Sequence, residues 1–229
     1  MWYQIKRDQS IVKRSRGNKR DEDGPARERI LGAAFGAFME HGYTRASTLD
    51  IATRAKVSKR ELYSHFENKQ ALFAAGIAQR TDAMQIPLQH SDVANLEGLS
   101  ATLKSLGRAI LAGVTDDDVL AVHRLAIAES VRSPDIAATL DRAGRGEIRK
   151  AVTDLIAKSQ ALGLIVEGDA AEMAEQFCSV LFSDVLIRLI LRVARKPSAR
   201  EIARRAENAT ELLLKLYAAP DAGQKPRTQ

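Results

Sequence analysis

Cysteine is all but missing: Cys178 is the only one in 229 residues. That excludes an internal disulfide framework and any cysteine-rich zinc site. A chain this long can bury enough apolar surface to hold a core without either. Glycine and proline are scarce, at 14 and 6, and runs of alternating apolar and polar residues are nearly absent, so an all-β fold is excluded. No apolar run is long enough to span a bilayer: residues 177–193 are interrupted by Asp184, Arg188 and Arg192. The first 20 residues hold seven basic side chains and no apolar core, which is not a secretory signal. The expectation is a soluble cytoplasmic protein.

Enzyme chemistry lacks its parts. The four histidines are scattered, the cysteine lies in an apolar stretch, and no glycine-rich phosphate loop occurs. We therefore expect no catalytic residues, no metal and no cofactor.

What is present is positive charge in one place. Residues 1–69 carry 15 basic and 9 acidic side chains, an excess of six, while residues 70–229 carry 20 of each. A polyanion-binding front end joined to a neutral body follows from that asymmetry. Apolar residues recur at spacings of three and four, so the chain reads as all-α. Residues 1–24 are polar, basic and aperiodic, and are expected to form a disordered arm that is either an idle tail or a strand laid along DNA.

Pro25 suits the first turn of a helix that Gly42 ends. Ser47 with Asp50, and Ser58 with Glu61, read as two capping boxes opening short helices at 47–55 and 59–65. Only Lys56 and Val57 separate these helices, which forces a sharp helix-turn-helix crossing. A fourth helix is expected over 69–86, stopping before Pro87. Leu96, Leu99, Leu103, Leu106 and Ile110 form a one-sided stripe. Further helices are expected at 119–131, at 136–162 with weakening near Gly144 and Gly146, at 169–194 and at 198–218. Residues 220–229 read as a polar tail.

The combination Gly42-Tyr43, Ile51-Ala52, Val57-Ser58-Lys59, Leu62-Tyr63-Ser64-His65-Phe66, Asn68-Lys69 and Leu72-Phe73 resembles the DNA-binding domain of the TetR family of bacterial regulators. The segment from Ala128-Glu129 through Glu175-Gln176-Phe177 to the last helix more loosely resembles the AefR-like C-terminal subfamily. The resemblance implies a three-helix helix-turn-helix domain at 25–69 and an effector-binding, dimerising helical domain at 70–219. It also implies phosphate contacts from Ser47, Tyr63 and Lys69 and base contacts from the first turn of the third helix.

The residue chemistry agrees. Lys59 and Arg60 can reach guanine edges or phosphates in a major groove. Lys69 opens a helix, where exposed N–H groups attract phosphate. Ser47 and Ser58 are caps first, with DNA contact an addition to that role. Glu61 reads as a cap or as an acceptor from cytosine, Tyr63 as a DNA contact or a core residue, and His65 as a phosphate contact or a packed ring. Lys56 stands where the family often has glycine. Should that position be left-handed, a side chain there costs on the order of 1 kcal/mol.

In the body, 12 of the 17 residues at 177–193 are apolar, more than one buried face requires. Ile202, Ala206, Ala209, Leu213 and Leu216 form a heptad-like seam. A deeply buried core helix would explain the first feature, whereas pairing of two chains explains both. Residues 96–190 are expected to enclose the effector, and His123, Arg124, Glu129 and Gln176 are polar groups on apolar helices there. None is assigned to the ligand. The partners expected are a near-palindromic double-stranded operator, a small-molecule effector and a second copy of the chain, with no membrane. The function expected is a repressor released by its effector. The competing reading is an architectural DNA-binding or interaction module with a packed body and no ligand.

Overall fold

A computed structural model describes residues 19–89 and 93–220. These residues form eleven α-helices and one π-helical turn, and the one extended pairing among them joins Ile165 to Ala218. Most of the basic arm, and the tail from 221 on, lie outside the described residues.

Helix α1 (Lys19–Arg45) begins before Pro25, so residues 19–24, expected to be part of the arm, are helical. Pro25 lies in its second turn. Gly42 ends the regular helix as expected, with φ 77° and ψ 161°. Helices α2 (Thr48–Ala55) and α3 (Lys59–His65) follow as the sequence spacing requires. Ser47 caps α2 by accepting from Leu49 N at 3.2 Å, and Ser58 caps α3 by accepting from Glu61 N at 3.0 Å. Neither capping box expected here forms in full: Ser47 bonds Leu49 N instead of Asp50 N while the Asp50 carboxylate turns to Arg54 at 2.9 Å, and at Ser58 only the serine half of the box is present. Lys56 is left-handed, at φ 56° and ψ 43°, and its N–H closes the end of α2. A residue with a Cβ therefore sits where glycine costs least.

Helix α4 (Lys69–Gln89) runs through Pro87 instead of stopping at 86. A proline in the last turn forfeits only one N–H bond, so the helix can outlast it. Helix α5 (Leu96–Val114) is capped by Asn95, whose Oδ1 accepts from Gly98 N at 2.8 Å, and its stripe of Leu99, Leu103, Leu106 and Ile110 is fully buried. Helices α6 (Asp117–Glu129) and α7 (Pro134–Leu140) lead into the π-helical turn at Asp141–Gly146 and then α8 (Glu147–Ala161). The weakness at Gly144 and Gly146 thus becomes a widened turn. A Cβ on Gly146 would lie 3.2 Å from Asp141 O.

The helix expected over 169–194 is two: α9 (Ala170–Phe182) and α10 (Val185–Ile190). Ser183 separates them at φ 45° and ψ −127°, a conformation that side chains rarely adopt. The polar pair Ser183-Asp184 falls at this point, but apolar residues resume at helical spacing on both sides, so periodicity alone carries one helix through it. Helix α11 (Ala199–Tyr217) opens with a complete capping box between Ser198 and Glu201.

Two hydrophobic cores result. One gathers α5, α8, α9 and α11 around Phe177, Leu106 and Val152. The other gathers α1, α2, α3 and the start of α4 around Ile30, Ile51 and Leu62, and it draws in Val122 and Ala126 of α6 and Ile136 of α7. The helix-turn-helix is thereby packed onto α6 and α7. The expected seam on α11 also resolves differently. Ala206, Ala209 and Leu213 are buried within the chain, and a Cβ on Gly107 of α5 would lie 3.1 Å from the Ala206 Cβ. The small residues serve close α5–α11 packing inside one subunit. Leu212 and Leu216 are left exposed.

Candidate nucleic-acid interface and cavity

Helix α3 is held by its apolar side. Leu62 and Phe66 are buried, and Arg27 of α1 lies over the Phe66 ring at 5.5 Å. Arg29 donates to Ala55 O at 3.2 Å, meeting a carbonyl at the end of α2. Arg54 pairs with Glu40 at 2.7 Å, tying α2 to the end of α1. That hydrogen bond and the guanidinium charge hold the Glu40 carboxyl below its usual range. The turn between α2 and α3 is therefore fixed by polar ties as much as by apolar packing.

Lys59, Arg60, Tyr63 and Ser58 are exposed on α3 and its cap, while Glu61 and His65 are half-buried. The Tyr63 hydroxyl reaches Thr48 Oγ1 at 3.1 Å, and Lys59 Nζ stands 5.9 Å from the Tyr63 ring centre. This brings Lys59 and Tyr63 of α3 to the start of α2, beside the Ser47 cap. Two hydroxyls, an ammonium and the free N–H groups of a helix start converge there, the donor set that suits a phosphate oxygen. Thr48 belongs to this cluster and was not singled out from the sequence; its position one residue after a capping serine was the available signal. His65 stacks at an angle on Phe66, with ring centres 6.3 Å apart.

Lys69 is placed differently from the others. Its ammonium donates to Tyr43 O at 2.8 Å, Thr44 O at 3.2 Å and Ala46 O at 3.2 Å, and it lies 4.6 Å from the centre of the Tyr43 ring. All three donors are occupied by the loop that leads into α2. Burial lowers the Lys69 pKa, opposed by the charge of Glu129. Asn68 supplies the α4 cap, accepting from Ala71 N at 2.8 Å.

Behind this surface, Thr44 donates to Glu129 Oε2 of α6 at 2.7 Å. A Cβ on Gly42 would come within 2.9 Å of the other Glu129 oxygen, so glycine is needed there for space as well as for its φ. Arg124 donates to Ile190 O at 2.9 Å and Leu189 O at 2.7 Å, closing the end of α10. Gln176 accepts from the Tyr217 hydroxyl at 2.6 Å. Of the four polar residues noted on apolar helices, only His123 lines the main cavity.

That cavity encloses about 690 Å³. It lies between the two cores, with Leu31, Phe38 and Leu72 on one side and Met84, Val114 and Ile148 on the other. Its walls are mainly apolar and its volume is within the range that holds a drug-sized molecule. The expected enclosure at 96–190 is thus extended by α1 and α4 from the front of the chain. No cluster of metal-binding side chains occurs among the described residues, and none of their helices is long and apolar enough to cross a membrane.

The described residues thus form a helix-turn-helix packed on a helical body, the arrangement of a class of DNA-binding regulators of transcription. Residues 30–75 match the model of the bacterial regulatory proteins of the tetR family, and residues 101–219 match the C-terminal domain of AefR-like transcriptional repressors. The chain belongs to the TetR family. It is 25% identical over 194 residues to the HTH-type transcriptional regulator YvkB of Bacillus subtilis, covering 83% of this chain and 96% of that protein. A TetR-family regulator from Mesorhizobium loti has a similar structure, with a TM-score of 0.70 at 25% identity over 86% of this chain and 98% of that one. The flavonoid-responsive regulator FrrA is also similar, with a TM-score of 0.67 at 25% identity over 90% of this chain and all (100%) of that one.

Proposed function

We propose that the protein is a homodimeric, cytoplasmic repressor that a small molecule in the cavity releases from a near-palindromic operator. The cavity between the two cores is the observation that carries this reading. A molecule seated there touches α1 and α4, which bear the DNA-binding helices, and also α8 and α9 of the body. An architectural module with a packed body would have no use for such a space. FrrA, of similar fold, is named for its response to flavonoids, which supports ligand control in this architecture.

Arg60 and Lys59 read bases from the start of α3, and Glu61, whose backbone N–H is held by Ser58, accepts from cytosine in the same groove. Ser47, Thr48 and Tyr63 hold a phosphate, Ser58 fixes the helix start, and His65 packs beside the backbone. Lys69 shapes the loop before α2 and adds its charge to the same phosphate field. Dimerisation uses the exposed Leu212 and Leu216 of α11 with neighbouring side chains of α9. Effector and operator oppose each other through a coupling of ~1–3 kcal/mol, and each lowers affinity for the other by the same factor.

The test is selection from randomised duplexes together with sedimentation of the complex. The expected result is an inverted repeat bound by two copies, with affinity falling steeply as salt rises. Arg60→Ala should relax one position per half-site, at ~1–3 kcal/mol each. A single bound copy, or a motif unchanged by Arg60→Ala, would overturn the assignment.

A further inference from the structure

Resting on the effector reading above, we propose that the cavity takes an apolar organic anion whose acidic group is held at the cavity mouth by Arg149 and Arg145. Arg80, Thr81 and His123 on the same wall are committed to protein partners. Arg80 donates to Gly76 O at 3.2 Å and to Asp118 at 3.1 Å while its guanidinium stacks 4.6 Å above the Phe35 ring centre. Thr81 donates to Ile77 O and Ala143 O, and His123 Nδ1 lies 2.8 Å from Val119 O.

Arg145 and Arg149 differ. They stand one helical turn apart, both on the cavity wall, and neither makes a hydrogen bond or ion pair among the described residues. Arg149 is half-buried and Arg145 is exposed, and each guanidinium keeps its five N–H donors without a protein partner among the described residues. Asp141 and Glu175 also line the cavity; like Arg145 both are exposed, and neither pairs with the arginines. Cys178 beside them adds no negative charge at neutral pH, because burial raises its thiol to about 11. A planar guanidinium pair with unused donors suits a carboxylate, sulfonate or phenolate, and the remaining walls suit the apolar body of such a molecule.

The placement also connects the anion site to the DNA-binding end. Arg145 lies in the π-helical turn, where the widened backbone leaves Ala143 O to accept from Thr81 of α4 at 3.0 Å. A ligand that draws on Arg145 acts on a turn bonded directly to the helix that begins at Lys69.

Two fluorescent probes with one aromatic skeleton test this: anilinonaphthalene sulfonate, an anion, and phenylnaphthylamine, its uncharged counterpart. The sulfonate should bind once per subunit, about tenfold more tightly than the amine, with the preference shrinking as salt rises. The double variant Arg145→Gln, Arg149→Gln should lose the preference and keep its affinity for phenylnaphthylamine, which also shows that the cavity is intact. Arg149→Lys, retaining the charge, should keep most of the preference. Equal binding of the two probes, or a preference that survives the double variant or ignores salt, overturns the anion assignment and leaves the cavity a ligand site. Failure of both probes to bind the parent protein overturns the effector reading itself.

Discussion

The DNA-binding front and the helical body are stabilised in different ways. In the front, the short helices α2 and α3 lie against the long α1, and their ends are fixed by single polar groups: Ser47, Ser58, Arg29, Arg54 and the three-way Lys69 ammonium. The body consists of long helices packed over wide apolar faces, with Phe177, Leu99, Leu103 and Leu106 at 1% exposure or less. A seven-residue helix cannot be stable by itself, so α3 depends on caps and on Leu62 and Phe66 for its orientation. Surface left over from that support is free to carry charge. The body has no such economy of parts, and it leaves room where its core meets the other.

The sharpest way to separate the two regions is to damage each by its own mechanism. Phe177→Ala removes a fully buried ring from the body core and should cost ~3–5 kcal/mol in denaturant unfolding. The folded fraction should retain its DNA affinity, because Phe177 is remote from α2 and α3. An equal loss of affinity per folded molecule would mean that the body core sets the geometry of the front directly.

Lys69→Met tests the front. Three carbonyls lose their donor, so the protein should be destabilised by ~1–3 kcal/mol as well as weakened in DNA binding. Unchanged stability with weakened binding would assign Lys69 to phosphate alone.

Lys56→Gly acts in the opposite direction. It removes a left-handed side chain and should raise stability by up to ~1 kcal/mol, with operator preference unchanged, as thermal melting and duplex selection would show. A destabilised variant would mean that Lys56 makes compensating contacts through its long side chain.

The smallest effect belongs to Glu201, at the start of α11. Hydrogen bonds from the Ser198 backbone N–H and hydroxyl, then Arg195, lower its carboxyl from 4.5 to about 2. A depressed carboxyl stabilises the folded state above its unfolded value and ceases to do so as pH falls through its folded value. Glu201→Gln should therefore melt slightly lower than the parent at pH 7, and the difference should shrink between about 4.5 and about 2. A difference independent of pH would assign the cap to shape instead of charge.

These contrasts mark what could be read ahead of the structure. The caps at Ser47 and Ser58, the turn at Gly42 and the left-handed strain at Lys56 are local, because each depends on groups within four residues. The break at Ser183 was not legible, since apolar residues resume at helical spacing on both sides of the Ser183-Asp184 pair. Nor was the π-helical turn, although Gly144 and Gly146 marked the weak point. The alanines of α11 gave a seam but not its partner, which is Gly107 of α5 within the same chain.

By itself the sequence determined an all-helical chain, a charged helix-turn-helix front and the membership of both halves in one family. Helical period, capping and charge act over a few residues, and a linear pattern contains them in full. Only the tertiary structure decided that Lys69 turns its ammonium to Tyr43, Thr44 and Ala46, that Glu129 meets Thr44, and that α1 and α4 help to enclose the cavity. Those contacts join residues far apart along the chain, and the same side chains could have paired otherwise with no change in any local pattern. Packing of one core against the other selects among these pairings, and the space left between the cores follows from how closely their helices can approach.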